Sequence, residues 1–139
     1  MRLFTDTISL KTNGNAEIHD ITAQAQQLIH EHGLKEGQIT LFVSGSTGAL
    51  TTMEFEPGQI KDMAELFERL IPSGQDYHHN ATWEDGNGHS HLRASLLGPS
   101  LVIPFRDRKL LLGTWQQIVF VDFDNRPRKR SIIVQGIGE

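Results

Sequence analysis

Apolar and polar residues follow two different rhythms along this chain. Leu3, Thr5, Ile8 and Leu10 alternate imperfectly in a Thr-rich opening segment, a strand pattern that Asn13-Gly14-Asn15 ends as a turn. Ile21, Ala25, Leu28, Ile29 and His32 then recur at helical spacing. Asp20 is placed to cap that helix and Gly33 to stop it. Ile39 to Val43 is an unbroken apolar run, short enough for a buried strand. Pro57 suits a first helical position, and Ile60, Met63, Phe67 and Leu70 or Ile71 make one stripe as far as Pro72. Gly74 to Gly88 reads as a long polar loop, and Ser90 to Leu97 as a short helix ended by Gly98-Pro99. Leu101–Phe105, Leu110–Leu112, Trp115–Phe123 and Ser131–Gln135 are strands, separated by turns at Asp107-Arg108-Lys109 and Asn125-Arg126-Pro127. The pattern predicts an α+β fold: a two-layer sandwich of a mostly antiparallel sheet with two main helices on one face. A small sheet of this kind leaves an edge or face that self-association would cover.

Composition narrows this picture. The 139 residues suit a single domain over 1–139, too short to close a (β/α)₈ barrel, which needs about 200 or more. No apolar run approaches the roughly 18 residues of a membrane span, and no secretory leader is expected at residues 1–11. With no cysteine, disulfides, thiolate zinc sites and cysteine nucleophiles are excluded, and a cytoplasmic protein is expected. The net charge is −4, the first half acidic and the second slightly basic, which argues against a nucleic-acid binder.

Histidine is the loudest chemical signal. Four of the seven fall in Tyr77-His78-His79-Asn80 and Asn87-Gly88-His89-Ser90-His91. Imidazoles are common ligands of a divalent metal ion, zinc or magnesium here, and His79, His89 and His91 are the candidate ligands. Residues two apart share a side in an extended chain and diverge by about 200° in a helix. The competing reading is a solvated loop whose histidines cap the next helix. Val43-Ser44-Gly45-Ser46-Thr47-Gly48-Ala49 follows a strand, and its glycines and hydroxyls can form an anion-holding backbone nest around Ser46 and Thr47, or a plain turn. Glu54 is a candidate general base, whereas Glu56 is explained by the dipole of the following helix. Arg93 offers paired donors to a phosphate. Gly113 with Thr114, Trp115 and Gln116 suits a substrate-lining edge, and Arg126 to Arg130 reads as a solvated basic run.

Asn87-Gly-His-Ser-His91, Leu96-Leu-Gly-Pro-Ser-Leu101 and Leu112-Gly-Thr-Trp-Gln116, with Ser46-Thr47, Glu54 and Tyr77-His-His79, resemble the signature of the YjbQ family over nearly the whole chain. Met53-Glu54-Phe55 stands where that family more usually has Asn-Glu-Asn, so Glu54 is kept without its amide neighbours. The resemblance implies a two-layer α+β homotrimer with pockets near subunit boundaries, built around His79, His91, Glu54 and the Gly-Thr-Trp-Gln segment. It also implies a link to secondary thiamine-phosphate synthase activity, a metal-assisted transferase reaction on small phosphorylated metabolites. In that reaction Glu54 and His91 are the expected catalytic residues, while Ser46, Thr47, Arg93, Thr114, Trp115 and Gln116 bind substrate. A non-catalytic trimer that binds a metal or small anion, and a purely structural protein, are the alternatives.

Overall fold

A computed structural model describes all residues, 1–139. The strands divide between two antiparallel sheets. In the larger, β1 (Arg2–Thr12), β8 (Arg128–Gly138), β3 (Gly37–Val43), β5 (Ser100–Arg106) and the two-residue β6 (Lys109–Leu110) lie side by side in that order. β1 and β8 pair along their full length, from Arg2↔Gly138 to Thr12↔Arg128. The smaller sheet places β7 (Gln117–Asp122) between β2 (Glu17–Asp20) and β4 (Gly48–Met53).

The two sheets face each other across one core. Phe4, Ile8, Ile39, Leu41, Ile103, Phe105, Ile132 and Val134 of the larger sheet meet Leu50, Ile118 and Phe120 of the smaller. Helix α1 (Thr22–His32) closes this layer with Ala25, Leu28 and Ile29. A second cluster lies on the other side of the small sheet. Ala49, Met53, Val119 and Val121 pack there against Phe67, Ile60 and Met63 of α2 (Pro57–Leu70) and Ala94 of α4 (Gly88–Leu97). The antiparallel α+β architecture expected from the pattern is present, with a second sheet inserted between the first and the long helix α2. That insertion explains β7, whose residues from Ile118 to Asp122 are all buried because both faces are covered.

The local signals behave as their chemistry requires. The N-cap of α1 is Ile21 rather than Asp20, whose carboxylate still accepts from the Thr22 backbone N–H at 3.0 Å from one position upstream, and Gly33 ends the helix in the left-handed region at φ 71°. Glu56 caps α2, accepting from the N–H groups of Gly58 and Gln59 with Pro57 at the first position. Two strands escape the pattern: β2 is four polar-flanked residues, and β4 hides behind the glycines that precede it. The polar stretch 74–88 is not all loop, since it carries the short helix α3 (His78–Trp83). Trp115 lies in a turn before β7, with Gln116 N–H donating to the Gly113 carbonyl at 3.0 Å.

Candidate functional site

The histidine cluster is built by α3 and the start of α4. Asn80 on α3 accepts from the Gly88 N–H at 2.9 Å and so serves the first turn of α4. The helices approach so closely that a Cβ on Gly88 would lie 2.6 Å from Tyr77 Cβ, which requires glycine. Because α4 has already begun, His89 and His91 diverge. His89 is buried, with Nδ1 unpartnered. His91 instead stacks on His79 with ring centroids 4.2 Å apart and planes 37° apart. His79 Nδ1 lies 3.6 Å from the Asp85 carboxylate.

His91 opens onto a hollow of about 370 Å³ lined also by Gly45, Ser46, Gly48, Ser95 and Pro99. Burial, and then the neighbouring His79, lower the His91 pKa below the usual histidine value. Burial and the Arg93 charge do the same for His89, against Glu68, Gly86 and Asp124. Ser46 is exposed at the rim. Thr47 is buried, its hydroxyl donating to Asp124 at 3.0 Å and accepting from Arg130 at 2.7 Å, so its role is structural. Arg93 is turned elsewhere. Its Nε and Nη2 donate to the Ile71 carbonyl at 3.0 and 2.8 Å, and Nη2 also reaches Glu68 at 2.8 Å, tying α4 to the end of α2. The phosphate clamp expected of Arg93 is therefore not available in this geometry.

The remaining expected residues lie at the other end of β4. Gly48 pairs with Asp122 and Met53 with Gln117, so about 16 Å of strand separates the Ser46 rim from Glu54. Glu54 is exposed there, without a hydrogen-bond partner. Gln116 donates to Thr52 Oγ1 at 3.0 Å and lines a separate hollow with Asp20, Thr22, Gln26 and Gly113. Thr114 and Trp115 are exposed, Trp115 to 72%. One chain thus holds the imidazole half and the Glu54/Gly-Thr-Trp-Gln half apart.

No three His, Asp or Glu side chains converge where a metal could sit. Within one chain the first turn of α4 separates His89 from the stacked His79–His91 pair, so the three imidazoles do not converge on one point.

Sequence reasoning missed the group beneath the loop. Asp122 and Asp124 are wholly buried; Asp122 accepts from Arg130 Nε and Nη2 at 2.8 and 2.9 Å, and Asp124 from Arg128 Nε at 3.1 Å. Asp124 Oδ1 has no partner. Burial raises the Asp124 pKa, but Thr47, Arg128 and Asn87 outweigh it and hold the carboxyl below its usual range. The one available signal was an Asp-x-Asp at the end of an apolar run followed by arginines at 128 and 130.

These shifts predict how stability depends on pH. The unfolded chain takes up protons near the ordinary histidine value of about 6.5, while folded His89 and His91 resist protonation. The unfolded state binds more protons, so this stability is present above that value and lost as pH falls below it. A further loss follows on the acid side as Asp124 is protonated. Urea midpoints should fall from pH 7 to pH 5, and less steeply in His91→Gln; a flat profile over that window would contradict the burial argument.

These features define an antiparallel two-sheet α+β protein with a stacked histidine pair at a small hollow. Within it, this chain belongs to the family described as UPF0047 protein YjbQ-like, which matches residues 6–139. It is 39% identical over 130 residues to a UPF0047 protein of Archaeoglobus fulgidus, covering 94% of this chain and 98% of that one. It is 35% identical over 139 residues to one of Methanothermobacter thermautotrophicus, covering 100% and 95%. A crystal structure of a YbjQ-like protein of unknown function from Sulfolobus solfataricus superposes with a TM-score of 0.93 at 35% identity, covering 99% of both chains. No helix is long and apolar enough to cross a membrane.

Proposed function

We propose that this chain is a cytoplasmic enzyme whose hollow between the Ser44–Thr47 loop and His91 receives the phosphate of a small metabolite. The named reaction is thiamine-phosphate synthesis: a pyrimidine diphosphate joins a thiazole phosphate and pyrophosphate leaves. The observation that carries the reading is the His79–His91 stack opening beside Ser46. Protonating His91 is disfavoured by burial and by His79, so near neutral pH its imidazole is free to accept a proton or hydrogen bond. Backbone N–H groups at the strand end and the Ser46 hydroxyl supply donors to a phosphate. The test is turnover of both phosphorylated substrates by purified protein, with and without added zinc or magnesium. Wild-type turnover, lost in His91→Ala, is expected; absence of turnover, or equal turnover in the variant, would end the reading. Tight binding of the diphosphate without turnover would instead establish the non-catalytic alternative, which the distance of Glu54 from the hollow favours.

The enzyme is proposed to work as a homotrimer. The outer face of the larger sheet supports self-association. Its rows Leu3–Ile137–Gln38–Pro104, Thr5–Gln135–Thr40–Val102 and Thr7–Ile133–Phe42–Ser100 contain no charged residue. Phe42 and Val102 are 41% and 58% exposed on it. Charge on this face is confined to its ends, at Lys11, Lys129 and Arg106, and exposed apolar side chains grouped between them favour association. Light scattering should give three times 15.6 kDa for the wild type and a smaller species for a Phe42→Asp, Val102→Asp double variant. A wild-type monomer would refute the trimer.

A further inference from the structure

We infer that the Arg130 guanidinium and the backbone N–H groups of Ser44, Gly45, Ser46 and Thr47 form an anion-holding element where the loop borders the His91 hollow, Gly45 lining the hollow and touching Arg130, and that it accepts a phosphate monoester or diphosphate. The inference rests on the phosphate reading above and assigns to Arg130 the part expected of Arg93.

The loop from Ser44 to Thr47 carries the chain from the larger sheet to the smaller. None of its four N–H groups donates to a protein acceptor, although Val43 N–H before it bonds to the Pro99 carbonyl at 2.9 Å and the Thr47 carbonyl accepts from Phe123 N–H at 2.9 Å. The loop is thus anchored at both ends with its donors unspent, the arrangement a bound anion requires. Arg130 lies directly against it. Its Nε and Nη2 are committed to Asp122 and Thr47, but Nη1 makes no hydrogen bond and lies 3.2 Å from where a Gly45 Cβ would stand.

The guanidinium is therefore held in one orientation by a buried carboxylate, with one nitrogen left over beside the unspent amides. Its side chain is only 12% exposed, and the Asp122 hydrogen bond keeps it charged despite burial. Donors fixed before the ligand arrives lose little conformational entropy on binding. Asp122 and Asp124 offset the charges of Arg130 and Arg128, so the loop and Arg130 select an anion by directed donors rather than by net charge. Gly45 fits the same account, since any side chain there would press on Nη1. The basic run near the C-terminus, which reads as solvated in the sequence, thereby contributes one inward member to the site.

The test is a nuclear magnetic resonance titration of the full chain with inorganic phosphate and with pyrophosphate, following the amides of residues 44–47 and the Arg130 Nε–H. In the wild type these signals should move together and saturate. Arg130→Lys and Gly45→Ala should each weaken binding by about tenfold or more, and Arg93→Lys by less than about twofold. If the loop amides and Arg130 do not respond in the wild type, the phosphate reading itself fails. If the loop amides respond while Arg130 does not, or both Arg130→Lys and Gly45→Ala bind within about twofold of wild type, the reading stands and the role of Arg130 is overturned. Should Arg130→Lys fail to fold, Gly45→Ala and the wild-type Arg130 signal decide the question.

Discussion

Replacing Asp122 with alanine should cost about 3–5 kcal/mol of folding stability. The Asp122 carboxylate is wholly buried and accepts from Arg130 Nε and Nη2, from the Thr12 hydroxyl and from the Asp124 backbone N–H. Those partners come from β8, β1 and the end of β7, so one carboxylate clasps the two sheets at the end that carries the Ser44–Thr47 loop. Deleting it strips a mostly buried guanidinium of its hydrogen-bonded counter-charge and leaves only Asp124, 3.8 Å from Nη2, and the under-compensated buried cation is the expensive part. The exposed pair of Arg106 with Glu36 serves as the control. Its loss should scarcely move the urea midpoint, because water screens both partners. A loss below about 1 kcal/mol for Asp122→Ala would mean that solvent reaches Arg130 and that the network is not the clasp described. The loop amides should lose their phosphate response in the same variant, since Arg130 would no longer be held.

Mixing two inactive variants should restore activity. In one chain His91 and Glu54 lie at opposite ends of β4, about 16 Å of strand apart, too far to act on one substrate atom. If the proposed trimer brings Glu54 and the Gly113–Gln116 turn of one copy to the His91 hollow of the next, each site uses residues from two chains. His91→Ala and Glu54→Gln homotrimers should then each lose about a hundredfold or more in rate. Unfolded and refolded together in equal amounts, they should recover about a quarter of the wild-type rate, because one interface in four pairs two intact halves. Glu54→Gln retaining full activity would confine the reaction to the imidazole hollow. Recovery absent from a mixture of two inactive variants would place His91 and Glu54 in one chain's site through a rearrangement of the fold. The exposed Trp115, on the same turn, would be covered in the shared arrangement and its fluorescence should shift to the blue on assembly.

Local chemistry was legible from the sequence wherever a signal and its consequence lie within one turn or strand. Pro57 and Glu56 announce the start of α2, Gly33 the end of α1, and the run from Ile39 to Val43 a strand, although β3 is buried on one face only and leaves Phe42 exposed, because capping, φ restriction and burial periodicity act over a few residues. The antiparallel α+β character follows from those elements. The family signature also marked the histidines, and the start of α4 at Gly88 decides that His89 and His91 part company.

Tertiary structure alone decided the rest. Whether one face of β7 or both are covered depends on which long-range partners pack on them, and a continuous apolar run is compatible with either. Arg93 and Arg130 are the same residue type, each near a motif. Only the approach of Glu68 and Ile71 from α2 to the first, and of Asp122 from β7 to the second, ties one guanidinium to a helix end and leaves the other with a free nitrogen at the loop. Glu54 and His91 read as partners along the chain, yet the length of β4 sets them apart, since a strand converts a few residues into a distance no side chain can bridge.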